Sequence, residues 1–165
     1  MRQQLEETYR SHRQGLFAMA LSVTRCAQLA EDAIHVAFER LCRQKKQPAG
    51  DLVSYVFAAV RNASRDAVRY RRVQSERTES LFNGYVPPER VDNPADDVLT
   101  RERDQILRLA VDELEAADRE VVVLKVFAGL TFDAVGQVLE EPPKTVATRY
   151  RRALLKLEEK LRGQL

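Results

Sequence analysis

The stretch from Asp118 to Leu161, DREVVVLKVFAGLTFDAVGQVLEEPPKTVATRYRRALLKLEEKL, leaves few folds open. Its apolar residues recur at helical spacing in three runs, interrupted at Gly129 and again at Glu140-Glu141-Pro142. The spacing predicts a helix capped by Asp118 that carries Val121, Val122, Leu124, Lys125 and Phe127 and stops at Gly129. Thr131 caps a second, short helix with Phe132, Val135, Val138 and Leu139 inward. Pro143 suits the first position of a third, which turns Val146, Tyr150, Ala153, Leu154, Leu157 and Leu161 inward. Lys144, Thr145, Ala147, Thr148, Arg149, Arg151 and Arg152 are then left outside near its start. A short helix, a tight turn and a helix with basic N-terminal turns make the pattern of a helix-turn-helix DNA reader. Glu158 and Glu159 would repel phosphate, which confines the reading face to about the first three turns.

Charge along the chain agrees with that reading. Residues Met1 to Ser75 hold 13 Lys/Arg against 7 Asp/Glu, Glu76 to Ala117 hold 5 against 11, and Asp118 to Leu165 hold 9 against 7. Two basic ends flank an acidic middle, which suits a protein that grips nucleic acid at two places.

The first half also reads as helical. Leu5, Tyr9, Leu16, Phe17, Ala20 and Leu21 mark one amphipathic helix from Leu5 to about Cys26. Ala33, Ile34, Ala37, Phe38 and Leu41 mark a second from about Leu29 to Arg43, with Glu31, Asp32, His35, Glu39 and Arg43 outside. A polar loop, Gln44 to Gly50, carries Lys45 and Lys46. Asp51 then caps a third helix reaching about Arg72, with Leu52, Val53, Val56, Val60, Ala63 and Ala67 inward. On its other side Arg61, Arg65, Arg69 and Arg72 form one stripe, with Asn62 beside the first. Like charges at that spacing repel by a few tenths of a kcal/mol per pair (~0.3), a cost that a polyanion relieves. Tyr55, Phe57 and Tyr70 add aromatics beside the stripe, Phe57 as core and Tyr55 as either core or a stacking platform for a base.

Between the halves, Ser, Thr, Asn, Gly and Pro cluster from about residue 74 to 94 without a period, the composition of a linker. Asp96 and Asp97 open a further helix from about Ala95 to Leu114, with Leu99, Ile106, Leu107, Leu109 and Val111 as its apolar positions. The sequence therefore predicts an all-α chain of two small helical domains joined by a flexible acidic linker: residues 1–73, linker 74–94, and residues 95–165.

Catalytic and metal chemistry find little to stand on. His12, Cys26, His35 and Cys42 lack the spacings of a zinc site, and both cysteines read as reduced core residues. Asp96 and Asp97 have no partner histidines. No cofactor and no metal are expected, and the chain does not read as an enzyme. No apolar run approaches the ~20 residues that cross a bilayer, so no membrane insertion and a cytoplasmic location are expected.

Two segments together resemble one family. AEDAIHVAFERLCRQ followed by DLVSYVFAAVRNASRDAVRYRRV resembles region two of the extracytoplasmic-function (ECF) sigma factors of bacterial RNA polymerase, and DREVVVLKVFAGLTFDAVGQVLEEPPKTVATRYRRALLKL resembles their region four. The resemblance implies a sigma factor that docks on core RNA polymerase and directs promoter-specific transcription initiation. It implies that Asp32, Ile34, His35 and Glu39 on the second helix bind polymerase. Lys45, Lys46, Arg61, Asn62 and Arg65, continued by Arg69 and Arg72 of the stripe, would take the minus-ten element as a single strand. Lys144, Thr145, Thr148, Arg149, Arg151 and Arg152 would take the minus-thirty-five element as duplex. An anti-sigma factor that masks both modules is a further implied partner. The chain departs from the family pattern at His35-Val36 in place of Gln-Glu, Tyr55 in place of Trp, Glu140 in place of Gly in the helix-turn-helix turn, and Ala147 in place of a basic residue. A helix-turn-helix regulator that acts without polymerase, its first half serving as a dimerisation or sensing unit, is the alternative reading.

Overall fold

The computed structural model describes residues 1–77 and 98–164. The expected linker beyond Arg77 and the expected helix start at Ala95 to Asp97 lie outside them. Among the described residues the chain is helical without a strand: α1 (Arg2–Thr24), α2 (Ala27–Arg43), α3 (Leu52–Arg77), α4 (Val98–Asp112), α5 (Ala116–Val122), α6 (Phe132–Leu139) and α7 (Pro143–Leu161). A π-helical turn, Val123–Phe127, continues α5.

Helices α1 to α3 pack on one another around Leu5, Leu16, Met19, Ala33, Ala37, Leu41, Val56 and Val60. Their ends follow local chemistry. Arg25 closes α1 in the left-handed region at φ 58°, its N–H bonded to the Leu21 carbonyl. Asp51 caps α3 as expected, its Oδ2 accepting from the Ser54 N–H at 3.0 Å and the Ser54 hydroxyl at 2.6 Å. Those bonds, the hydroxyl first, hold the Asp51 carboxyl below the usual carboxylate range. Helix α3 runs to Arg77, past the expected end near Arg72.

The second half shares the larger of its two buried clusters with the first. Val121, Leu124, Leu130, Val135, Val138, Leu139 and Val146 belong to the same buried cluster as Leu16, Phe57 and Val60 of the first half. A smaller cluster of Ala110, Val111, Leu114, Val122, Val123, Ala153 and Leu157 ties α4 and α7 to the other side of α5. Helix α3 packs on α6, and α1 packs on α5 and the π turn. At Gly15 a Cβ would lie 2.9 Å from the Ala128 Cα, so only glycine lets the backbones come this near.

Several sequence expectations are corrected. Asp118 is not a cap: it sits in the first turn of α5, buried at 8% exposure, and Glu115 holds the N-cap. Its Oδ2 instead accepts from Lys156 Nζ at 2.6 Å, a bond that raises the lysine's pKa above its ordinary value. Phe127, Leu107, Leu109 and Leu154 are exposed rather than inward. The π turn shifts the helical phase at Phe127, and the apolar side of α4 falls on Ala110, Val111 and Leu114. Cys42 is exposed because it follows the last buried residue of α2, Leu41, by about 100° of turn. Cys26 is half-buried. No described helix is long and apolar enough to cross a membrane.

Three expectations about stability follow. Asp51→Ala should cost about 1 kcal/mol at pH 7. Because the folded pKa of Asp51 lies below its unfolded value of about 3.8, its contribution is present above that pH and disappears as pH falls through the folded value; chemical denaturation of both proteins at pH 7 and pH 2.5 should show the difference shrinking. Gly136→Ala should destabilise by about 1 to 3 kcal/mol, since its Cβ would meet the Glu141 carbonyl oxygen at 2.7 Å. Glu140→Gly should instead stabilise by about 0.5 to 1 kcal/mol, read as a raised melting temperature, because Glu140 holds φ 56°.

Candidate nucleic-acid interface

Helix α7 is aimed by the turn before it. Thr131 caps α6 by accepting from the Ala134 N–H at 3.1 Å. At the other end Glu140 takes the left-handed conformation (φ 56°, ψ 42°) that glycine adopts freely, so the turn is made at a local strain of about 1 kcal/mol. The Glu141 N–H bonds the Gly136 carbonyl at 2.9 Å, and Pro143 begins α7. Tyr150 meets Phe132 edge to face, centroids 5.6 Å apart, which pins α7 against α6.

On α7, Lys144, Thr145, Thr148, Arg151 and Arg152 are all exposed and share one side of the helix. Among the described residues Lys144, Arg151 and Arg152 have no carboxylate partner, so this side presents three unneutralised cations. The Thr148 hydroxyl donates back to the Lys144 carbonyl at 3.0 Å and keeps its lone pairs outward. Arg149 is turned away from this group: its Nη1 lies 2.6 Å from Glu141 Oε2, with both side chains about one quarter to one third exposed (26% and 30%).

The α3 stripe divides in the same manner. Arg65, Arg69 and Arg72 are exposed, as are Asn62 beside them and Lys45 and Lys46 in the preceding loop. Arg69 and Arg72 have acidic neighbours at 3.8 and 3.7 Å, Asp66 and Glu76, in exposed pairs worth little. Arg61 is different. Its Nε donates to Glu120 Oε2 at 2.9 Å across the seam between the halves, with side-chain exposures of 17% and 13%. Tyr55 stands 37% exposed at the head of the helix, its hydroxyl 3.2 Å from Gln44 Oε1, available as a platform rather than consumed by the core.

On α2, Asp32, His35 and Glu39 are exposed on one side, whereas Ile34 packs half-buried against the core. Neither the sequence spacing nor the resemblance paired Glu120, Glu141 and Asp118 with Arg61, Arg149 and Lys156, the cations they hold. The Arg61 and Glu120 pair spans 59 residues, and only the tertiary fold brings it together. Among the described residues no group of three or more His, Cys, Asp or Glu side chains converges as a metal site would require. His12 stacks edge-on against Phe57, centroids 5.8 Å apart.

Comparison with known proteins accounts for this layout. Residues 8–73 match the model of sigma-70 region 2, and residues 104–157 match that of sigma-70 region 4. The chain is 26% identical over 162 residues to the RNA polymerase sigma factor CarQ of Myxococcus xanthus, covering 97% of this chain and 90% of that protein. Its fold is similar to that of the sigma factor RpoE from Bartonella quintana, solved in complex with the anti-sigma factor NepR, with a TM-score of 0.75 and 20% identity over 99% of this chain and 97% of that one. With both regions present in the family's order, the chain belongs to the sigma-70 family and has the two-region form of its extracytoplasmic-function members.

Proposed function

We propose that this chain binds core RNA polymerase and directs it to begin transcription at specific promoters. The observation that carries the reading is a pair of cationic faces, on α3 and α7, borne by the segments that match regions 2 and 4. DNA held at two places on one promoter needs two such faces.

Residues 1–73 form the polymerase and minus-ten module in this reading, residues 95–165 the minus-thirty-five module, and residues 74–94 the connection. The exposed Asp32, His35 and Glu39 meet polymerase, with Ile34 beneath them as packing. Lys45, Lys46, Asn62, Arg65, Arg69 and Arg72 follow the backbone of the opened minus-ten strand, and Tyr55 offers a ring to an unstacked base. Arg61 joins them once Glu120 releases it. Lys144, Thr145, Thr148, Arg151 and Arg152 enter the major groove, where arginine can fork onto guanine. Arg149 acts from behind by holding Glu141 and the turn. The polymerase supplies the chemistry of RNA synthesis, so no catalytic residue is assigned to this chain. It would work in the cytoplasm, where polymerase and chromosome are. An anti-sigma factor, the type of partner with which the Bartonella quintana relative was crystallised, is proposed as its inhibitor.

Purified chain added to sigma-free core polymerase should form a complex and yield transcripts with defined start sites on genomic fragments; no complex and no discrete start site would refute the reading. Within a responding system, Arg65→Ala combined with Arg69→Ala should lower transcript yield about tenfold while leaving polymerase binding intact. Lys144→Ala should weaken duplex binding with little change in sequence preference and reduce the slope of log affinity against log salt by about 1, the signature of one lost phosphate contact.

A further inference from the structure

The seam between the halves is built to close without help. Its apolar part is continuous with the core of the first half, and Gly15 fits it to Ala128 at backbone distance. Among the described residues two ion pairs cross it: Arg61 with Glu120 at 2.9 Å, and Arg25 with Asp112 at 3.2 Å. The first is the more buried of the two, and an ion pair withdrawn from water is screened little by salt. Beside it a cleft of about 330 Å³ is lined by Arg61, Arg65, Glu120, Glu141 and Arg149. Of its two carboxylates, Glu120 holds Arg61 of the α3 stripe from the opposite half, and Glu141 holds Arg149 of its own half.

We propose that Glu120 is an intramolecular latch: it occupies, in the free chain, the guanidinium of Arg61 that a promoter phosphate or base would otherwise take. The proposal rests on the sigma-factor reading and adds a regulatory contact to it. A carboxylate is a fair stand-in for a phosphate, since arginine binds both through the same planar fork of N–H donors. Arg61 bonds Glu120 through Nε, and with 17% of its side chain exposed the closed seam leaves its other N–H donors little access to a DNA phosphate. The same closed arrangement leaves Asp32, His35 and Glu39 on α2 exposed, together with the α7 face from Lys144 to Arg152. Polymerase and duplex can engage first, and Arg61 is released only when the halves are drawn apart. The latch thereby links the last set of strand contacts to prior docking.

The test locks and unlocks the seam separately. In a full-length Cys26→Ser, Cys42→Ser background, cysteines replace Arg25 and Asp112, whose side chains meet at 3.2 Å across the seam, and a short bis-methanethiosulfonate joins them. The reagent should bridge the two thiols in the free protein. The bridged form should bind a fluorescein-labelled single-stranded 20-mer at least tenfold more weakly than the unbridged form and should fail to support transcription with core polymerase, both defects being reversed by dithiothreitol. Glu120→Gln, which needs no new backbone contact, should strengthen binding of the same oligonucleotide about three- to tenfold, and this gain should vanish when Arg61→Ala is added. The latch is overturned if the bridge does not form, if the bridged protein is as active as the unbridged one, or if Glu120→Gln leaves the strand affinity unchanged. Wild-type protein that yields no promoter-specific transcript refutes the sigma reading instead, and the oligonucleotide measurements still report on the seam.

Discussion

Four consecutive residues, Val121 to Leu124, are each at most 5% exposed, and this fact shapes the second half of the molecule. One helix face cannot bury four neighbours in a row, since successive side chains point about 100° apart. They are buried because α5 and the π turn lie between two cores: Val121 and Leu124 face the cluster shared with α1 and α3, while Val122 and Val123 face the one made by α4 and α7. The π turn begins within this run and ends where Ala128 N–H bonds the Val123 carbonyl at 3.0 Å. It delivers Ala128 against Gly15. A segment wrapped on both sides couples the halves, so opening the seam uncovers apolar surface at roughly 25 cal/mol per Å².

Charge then decides which cations are free to act. Arg61, Arg149 and Lys156 each meet a carboxylate at 2.9 Å or less, and all three carboxylates come from α5 or the turn before α7. Removing Glu120 from such a pair would leave a poorly solvated guanidinium, which raises the value of any anion that takes its place. The exposed pairs elsewhere, such as Arg10 with Glu6 or Arg43 with Glu39, contribute little either way. A count of basic residues therefore overstates the cation available to DNA in the closed form, and the α3 stripe loses its first member to the seam.

The sequence made the helices legible because their signals are local. Asp51, Thr131 and Pro143 act within one turn of themselves, and each stands where its chemistry placed it. Family resemblance supplied the two regions, which the comparisons match over residues 8–73 and 104–157. What escaped was tertiary. Asp118 has the composition of a cap but is claimed by Lys156, 38 residues away. Leu109 keeps a plausible period in α4 yet stands 54% exposed, because the inward side of that helix is set by where α5 and α7 lie. Nothing in the spacing of Arg61, Arg65, Arg69 and Arg72 separates the half-buried first residue from the exposed rest.

The turn at Glu140 shows how the chain tolerates a side chain in a left-handed position. A side chain at φ 56° costs about 1 kcal/mol, and a larger residue at Gly136 would strike the carbonyl of Glu141. The strained position is thus the exposed one, where a long acidic side chain reaches solvent, and the position without room kept its glycine. Glu141 uses the geometry twice, bonding its N–H to Gly136 and its carboxylate to Arg149. That clamp orients the start of α7 without engaging Lys144, Thr145, Thr148, Arg151 or Arg152, so the side chains that face outward are those with no structural duty beyond the helix itself. A reading helix needs that separation, because a cation already committed to holding the turn cannot also follow a phosphate.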